Sequence, residues 1–119
     1  MKSIFYSLLL AFLFVGLNSY AQEEKVDVMP EPIGGIEELY KNVVYPQSAK
    51  DANIQGKVVV KAIIDEKGNV VNTEVITSVN EDCDKAAVEA IKKTKFTPGM
   101  KDDKSTKTEV TIPIIFKLQ

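Results

Sequence analysis

The sequence predicts an α+β fold, a two-layer domain in which a three-stranded antiparallel sheet carries helices on one face. Three observations lead there. Two runs rich in β-branched residues, 55–65 and 70–78, flank a short segment that contains a glycine. The last stretch of the chain alternates apolar and mostly polar residues with a period of two. Two other stretches place apolar or small residues at helical spacing.

The elements follow in order. Ile36, Leu39, Tyr40 and Val43 stand at i, i+3, i+4 and i+7, one face of a first helix. Tyr45-Pro46 ends it, because the residue before a proline is pushed out of the α region. Pro46 then opens a second short helix, PQSAKDAN, with Ala49 and Ala52 facing inward. Glu66-Lys67-Gly68-Asn69 joins the two β-branched runs as a hairpin loop. Gly68 takes the left-handed position, where asparagine should be tolerated better than valine. Asn80-Glu81-Asp82 supplies an N-cap and early negative charge for a helix over 82–94. Its inner stripe is Cys83, Ala86, Ala87, Ala90 and Ile91, and Lys92, Lys93 and Lys95 suit the negative end of its dipole. Phe96-Thr97-Pro98-Gly99 breaks the helix, and Lys101 to Lys107 reads as a charged loop. In the final strand Val110, Ile112, Ile114, Phe116 and Leu118 form one wholly apolar face.

The hairpin fixes two antiparallel strands. A right-handed helical crossover brings the last strand to the far side of the first. The expected sheet order is 70–78, 55–65, 107–118, with the C-terminal strand on an open edge. Pro113 agrees, since proline cannot donate to a ladder and is confined to edges or bulges. Its missing N–H should lie on the outward side. Thr111, Ile115 and Lys117 share its parity, so their main-chain groups should also point outward, unpaired. An extended peptide could add there as a further strand. Pro113 and the flanking lysines would equally blunt an ordinary edge against aggregation.

The start of the chain reads as an export signal. Lys2 precedes an apolar run from Ile4 to Leu17, and Ser19 and Ala21 stand at the −3 and −1 positions of a cleavage site before Gln22. The run is shorter than the roughly 20 apolar residues a spanning helix needs. Cleavage after Ala21 and a periplasmic destination are therefore expected, with an uncleaved inner-membrane anchor as the alternative. The expected organisation is a signal peptide over 1–21, a short linker over 22–32 and one domain over 33–119.

Composition excludes several classes. The cations of the chain are all lysines, 15 against 17 acids. Without arginine forks or a basic excess, nucleic-acid binding is not expected. The absence of histidine removes Ser-His-Asp and Cys-His catalysis and histidine metal sites. Glu81-Asp82-Asp84 and Asp102-Asp103 are read as a helix N-terminus and a solvated loop. Neither Gly34-Gly35 nor Pro98-Gly99 belongs to a phosphate-binding pattern. Cys83, the single cysteine, has no partner within the chain and reads as a small buried hydrophobe. No enzyme, cofactor or metal is expected.

Pro30-x-Pro32-x-Gly34-Gly35, Tyr45-Pro46-x-x-Ala49, Ile54-x-Gly56-x-Val58, Asp65-x-x-Gly68-x-Val70 and Cys83-Asp84-x-x-Ala87 occur in sequence. Ile91-Lys92, Pro98-Gly99 and Ile112-Pro113-Ile114-Ile115-Phe116 complete the set. As an ordered set over about 30–118, these resemble the C-terminal domain of TonB-family energy transducers, in the form common in Bacteroidetes. The resemblance implies a three-stranded sheet with helices on one face, as argued above. It also implies partners: TonB-dependent outer-membrane transporters, bound through an extended segment, the TonB box, and the motor proteins ExbB and ExbD if the chain is anchored. Tyr45 and Pro46 join Thr111, Pro113, Ile115 and Lys117 as partner-binding candidates, because many members carry a glutamine that touches the TonB box just before Tyr-Pro. Here that position is Val44. The family's anchor histidine and long proline-rich spacer have no counterpart in this sequence. The expected role is thus a segment-binding module of the periplasm. An anchored transducer, or an envelope scaffold that uses the same edge to form a homodimer or bind other proteins, is the alternative.

Overall fold

The structure, a computed structural model, describes residues 26–119. The expected signal peptide and the start of the expected linker lie outside the described residues. In chain order the elements are α1 (Ile36–Lys41), α2 (Gln47–Asp51), β1 (Gly56–Ile64), β2 (Val70–Thr77), α3 (Glu81–Lys93), β3 (Gly99–Lys101), β4 (Lys104–Thr106) and β5 (Thr108–Phe116).

The β-branched runs form the hairpin β1–β2, and one carboxylate organises its loop. Asp65 Oδ1 accepts the N–H of Lys67 at 2.9 Å and of Asn69 at 2.8 Å. The main chain closes the same loop: Asp65 N–H donates to Asn69 O at 2.9 Å and Gly68 N–H to Asp65 O at 3.0 Å. Hydrogen bonds to the charged form, that of the Asn69 N–H foremost, hold the Asp65 carboxyl below its ordinary pKa. Gly68 has φ +86°, the left-handed conformation expected of it.

β5 returns on the other side of β1, antiparallel, in a register that runs from Gly56 opposite Phe116 to Ile64 opposite Thr108. The sheet order is β2-β1-β5, as the topology rules predict. Period two then divides each strand between faces. Val58, Val60, Ala62 and Ile64 of β1 and Val110, Ile112, Ile114 and Phe116 of β5 are buried. Each valine, isoleucine or phenylalanine side chain removed from water in this way contributes about 1.5–3 kcal/mol, and Ala62 less.

α3 covers this face with Cys83, Ala87, Ala90 and Ile91, all at 0% exposure. Three of the four are small, so the helix can lie close to the sheet. Asn80 caps it by accepting the Cys83 N–H at 2.8 Å. Burial pushes the Cys83 thiol up in pKa, and the Asp84 and Asp82 charges add to this, so the thiol is inert packing material. Among the described residues the outer face stays open. There Lys61 bridges Glu109 of β5 at 3.0 Å and Glu74 of β2 at 3.5 Å across the three strands.

The structure corrects three expectations. Residues 101–107 are not all loop, because β3 and β4 form a small hairpin closed by Asp102 and Asp103, both at positive φ. Two positive-φ residues make the primed turn that matches strand twist. Only Leu39 of α1 is fully buried, while Ile36 is 50% exposed and Ala52, after α2, is exposed. Finally, the last part of the expected linker is docked. Met100 N–H donates to Val28 O, Thr97 N–H to Glu31 O and Ile33 N–H to Lys95 O, each at 2.8 Å. Residues 27–33 thus form a strap along 95–102, in which Pro30 is buried.

Candidate functional site

Among the described residues β5 has a hydrogen-bonded neighbour on one side only. In an antiparallel strand the N–H and C=O of one residue point to the same side, and those of the next residue to the other. Two contacts fix the phase of this alternation. Leu118 N–H donates at 2.9 Å to Oε1 of Gln55, the residue just before β1. Pro113 O instead accepts from the Tyr40 hydroxyl at 3.5 Å, from outside the sheet. Even-numbered residues therefore face the ladder and odd-numbered ones face out. Thr111, Pro113, Ile115 and Lys117 are all exposed and share the outward phase. Pro113 supplies no donor, so the open donor-and-acceptor pairs are those of Thr111, Ile115 and Lys117.

Two concave surfaces flank this edge. The first, of about 290 Å³, is walled by Met29 and Pro30 of the strap, Ile36 and Leu39 of α1, Phe96, and strand residues 110–113. Met29 and Ile36 are each half exposed, an apolar rim that neither stays out of water nor reaches the core. The strap and α1 are pinned in place. Asn42, at the C-terminus of α1, donates to Thr94 Oγ1 at 2.9 Å, and Thr94 in turn donates to Ala90 O at 2.8 Å.

The second, of about 470 Å³, lies at the other end of β5 and is lined by Tyr45, Lys50, Lys117, Leu118 and Gln119. Tyr45 forms its floor. The ring packs edge-on against Phe116 with centroids 5.3 Å apart, and the hydroxyl donates to Ile54 O. Partial burial pushes the phenol up in pKa, with Cys83 nearby adding to this, so the hydroxyl remains a donor. Lys50 places its ammonium 5.7 Å from the centre of that ring.

The structure thus brings Tyr45 and Lys117 together, as the sequence did not foretell from spacing. Pro46 stands at the start of α2, outside both linings, and Val44 is 68% exposed. Tyr40, Lys50 and the strap were missed. Tyr40 occupies a position that helical spacing assigns to the core, and a lone lysine in a short helix carries no signal.

Known proteins agree with this fold. The solution structure of the Pseudomonas aeruginosa TonB CTD superimposes with a TM-score of 0.55 at 24% identity, covering 82% of this chain and 92% of that one. The Helicobacter pylori TonB-CTD gives the same TM-score and identity over 68% and 86%. Protein TonB of Vibrio cholerae serotype O1 is 36% identical over 76 residues, 63% of this chain and 31% of that protein. Protein TonB of Xanthomonas campestris pv. campestris is 36% identical over 75 residues, 62% and 34% of the two chains. The chain spans about a third of the length of these curated relatives. The model of the family described as Gram-negative bacterial TonB protein C-terminal matches residues 41–118, from the end of α1 to the basic cavity, and the chain belongs to that family.

Proposed function

We propose that this domain captures an extended segment, the TonB box of a TonB-dependent outer-membrane transporter, by adding it as a strand to the free edge of β5 in the periplasm. The observation that carries the reading is the outward phase of Ile115 and Lys117, on a strand whose 110–113 stretch walls a groove with an apolar rim. Main-chain bonds to those two residues supply affinity with little regard to sequence, and the groove selects an apolar side chain. Each main-chain bond contributes about 0.5–1.5 kcal/mol net, and one apolar side chain entering the groove about 1.5–3 kcal/mol. Four such bonds and one side chain, set against an association cost of at least about 4 kcal/mol, leave about 5 kcal/mol at most, so such an interface is sub-millimolar at best. That suits a contact that must form and release repeatedly. The periplasmic location rests on the export signal read at Lys2, the apolar run and Ala21. The same edge would accommodate a second copy of the chain, and a transporter segment would compete with it.

The test is a titration of the isotopically labelled domain with a TonB-box peptide from a transporter of the same organism. Amide shifts and new exchange protection should centre on Thr111, Ile115 and Lys117, while Ile112 and Ile114 are protected before peptide is added. Shifts confined to α3 would show that the edge is not the site.

A further inference from the structure

Tyr40 reaches from α1 to the middle of the strand edge. Its hydroxyl donates to Pro113 O at 3.5 Å, across 73 residues of chain. Pro113 stands opposite Val59 in the register, between the outward residues Thr111 and Ile115. Proline has no N–H to offer. The carbonyl is thus the one main-chain group an added strand could use at this position, and in the free domain Tyr40 already meets it.

The contact is loosely held. O–H···O bonds are commonest at about 2.7–2.8 Å, and this one is 3.5 Å long. Tyr40 is 37% exposed, so water can take up the hydroxyl once it lets go. The rest of α1 is fixed, because Leu39 is fully buried and Asn42 bonds to Thr94 Oγ1 at 2.9 Å. Release therefore needs the rotation of one side chain, with the helix left in place.

Resting on the edge-strand reading above, we propose that Tyr40 is a displaceable guard of the β5 edge. Its hydroxyl holds Pro113 O in the free domain and yields it to a main-chain N–H of the incoming strand. While the guard is in place the edge is interrupted at its middle, since Pro113 supplies no donor and its acceptor is engaged. The open pairs fall into two pieces, Thr111 on one side and Ile115 with Lys117 on the other. A stray extended chain meets too few consecutive partners to stay, which counters the templating hazard of a free edge. A segment already held at Ile115 and Lys117 brings its next N–H to Pro113 O and turns the hydroxyl out. The guard lowers affinity for every segment alike, and one weak bond corresponds to about two- to five-fold.

The experiment titrates the labelled domain and its Tyr40→Phe variant with an end-blocked octapeptide of alternating valine and threonine. The Pro113 carbonyl is read through the Ile114 amide, because its carbon shift reports the bonds that its oxygen accepts. In the free proteins this signal should lie upfield in the variant. At saturation the two signals should coincide, and the variant should bind about two- to five-fold tighter. In the parent protein the ring signals of Tyr40 should move together with the Ile115 amide, a readout that needs no variant. Carbonyl signals that still differ at saturation would mean one oxygen accepting from both donors. That result, equal affinities, or unmoved Tyr40 ring signals would each refute the guard and leave edge capture standing. If the peptide moves the Ile115 and Lys117 amides in neither protein, edge capture fails and the guard with it.

Discussion

The main chain of Gly68 lies directly against that of Phe96. Phe96 N–H donates to Gly68 O at 3.1 Å, and a Cβ built on Gly68 would stand 1.9 Å from Phe96 O. The hairpin loop is thereby locked to the segment that leaves α3. Glycine meets two demands there, a positive φ and the absence of a side chain.

The first demand alone predicts that asparagine is tolerated at position 68, and the second overrules it. Gly68→Asn and Gly68→Val should both destabilise the domain by well over about 1 kcal/mol. Urea unfolding of the two variants checks this. An asparagine variant that unfolds with the parent protein would mean that Phe96 moves aside freely.

Asp65 gives the stability a pH dependence of known sign. Its carboxyl has a lower pKa in the folded chain than in the unfolded one, because the Asn69 and Lys67 N–H groups bond to the charged form. The stabilisation is therefore complete above the unfolded value, near 4, and is lost as pH falls through the folded value. Asp65→Asn should keep the loop, since an amide oxygen still accepts, while flattening the acid limb of a melting-temperature profile. A profile from pH 2 to 6 that does not change in this variant would remove Asp65 from the account.

Adjacent positions of β5 should respond in opposite ways. Ile114 is fully buried and Ile115 is 56% exposed. Ile114→Ala should cost about 2–5 kcal/mol in unfolding experiments. Ile115→Ala should stay within about 0.5 kcal/mol. Similar losses at the two sites would contradict the assigned faces.

How much of this was legible in the sequence depended on the range of the signal. The hairpin, the capped helix and β5 are written in local patterns: period two, helical spacing, a glycine in a loop and an N-cap asparagine. Their sheet order followed from connection rules, and Pro113 supported the edge position. The strap has no signal in the sequence because its partners, Lys95 to Met100, are 62 to 73 residues away in the chain, and a proline-ended stretch without periodicity gives no local hint of docking. The β3–β4 hairpin escaped because three-residue strands are too short for alternation to show, and an Asp-Asp turn reads as a solvated loop. Helical spacing turns Ile36 inward, but a two-turn helix that buries only Leu39 leaves it at the rim of the groove. In the site itself, the outward residues of β5 were legible by parity. Lys50 and Tyr40 were not, because tertiary packing alone brings them to the strand.

The strict alternation of β5 also bears on how such a domain changes over generations. Thr111, Ile115 and Lys117 lie outside the core, so single substitutions there can retune the contact surface while folding is left nearly untouched. The even-numbered row carries the opposite constraint, because its members hold the two layers together. A drifting partner can thus be followed one codon at a time. A one-residue insertion or deletion within the strand would instead exchange the two rows, exposing the core face and burying the contact face together.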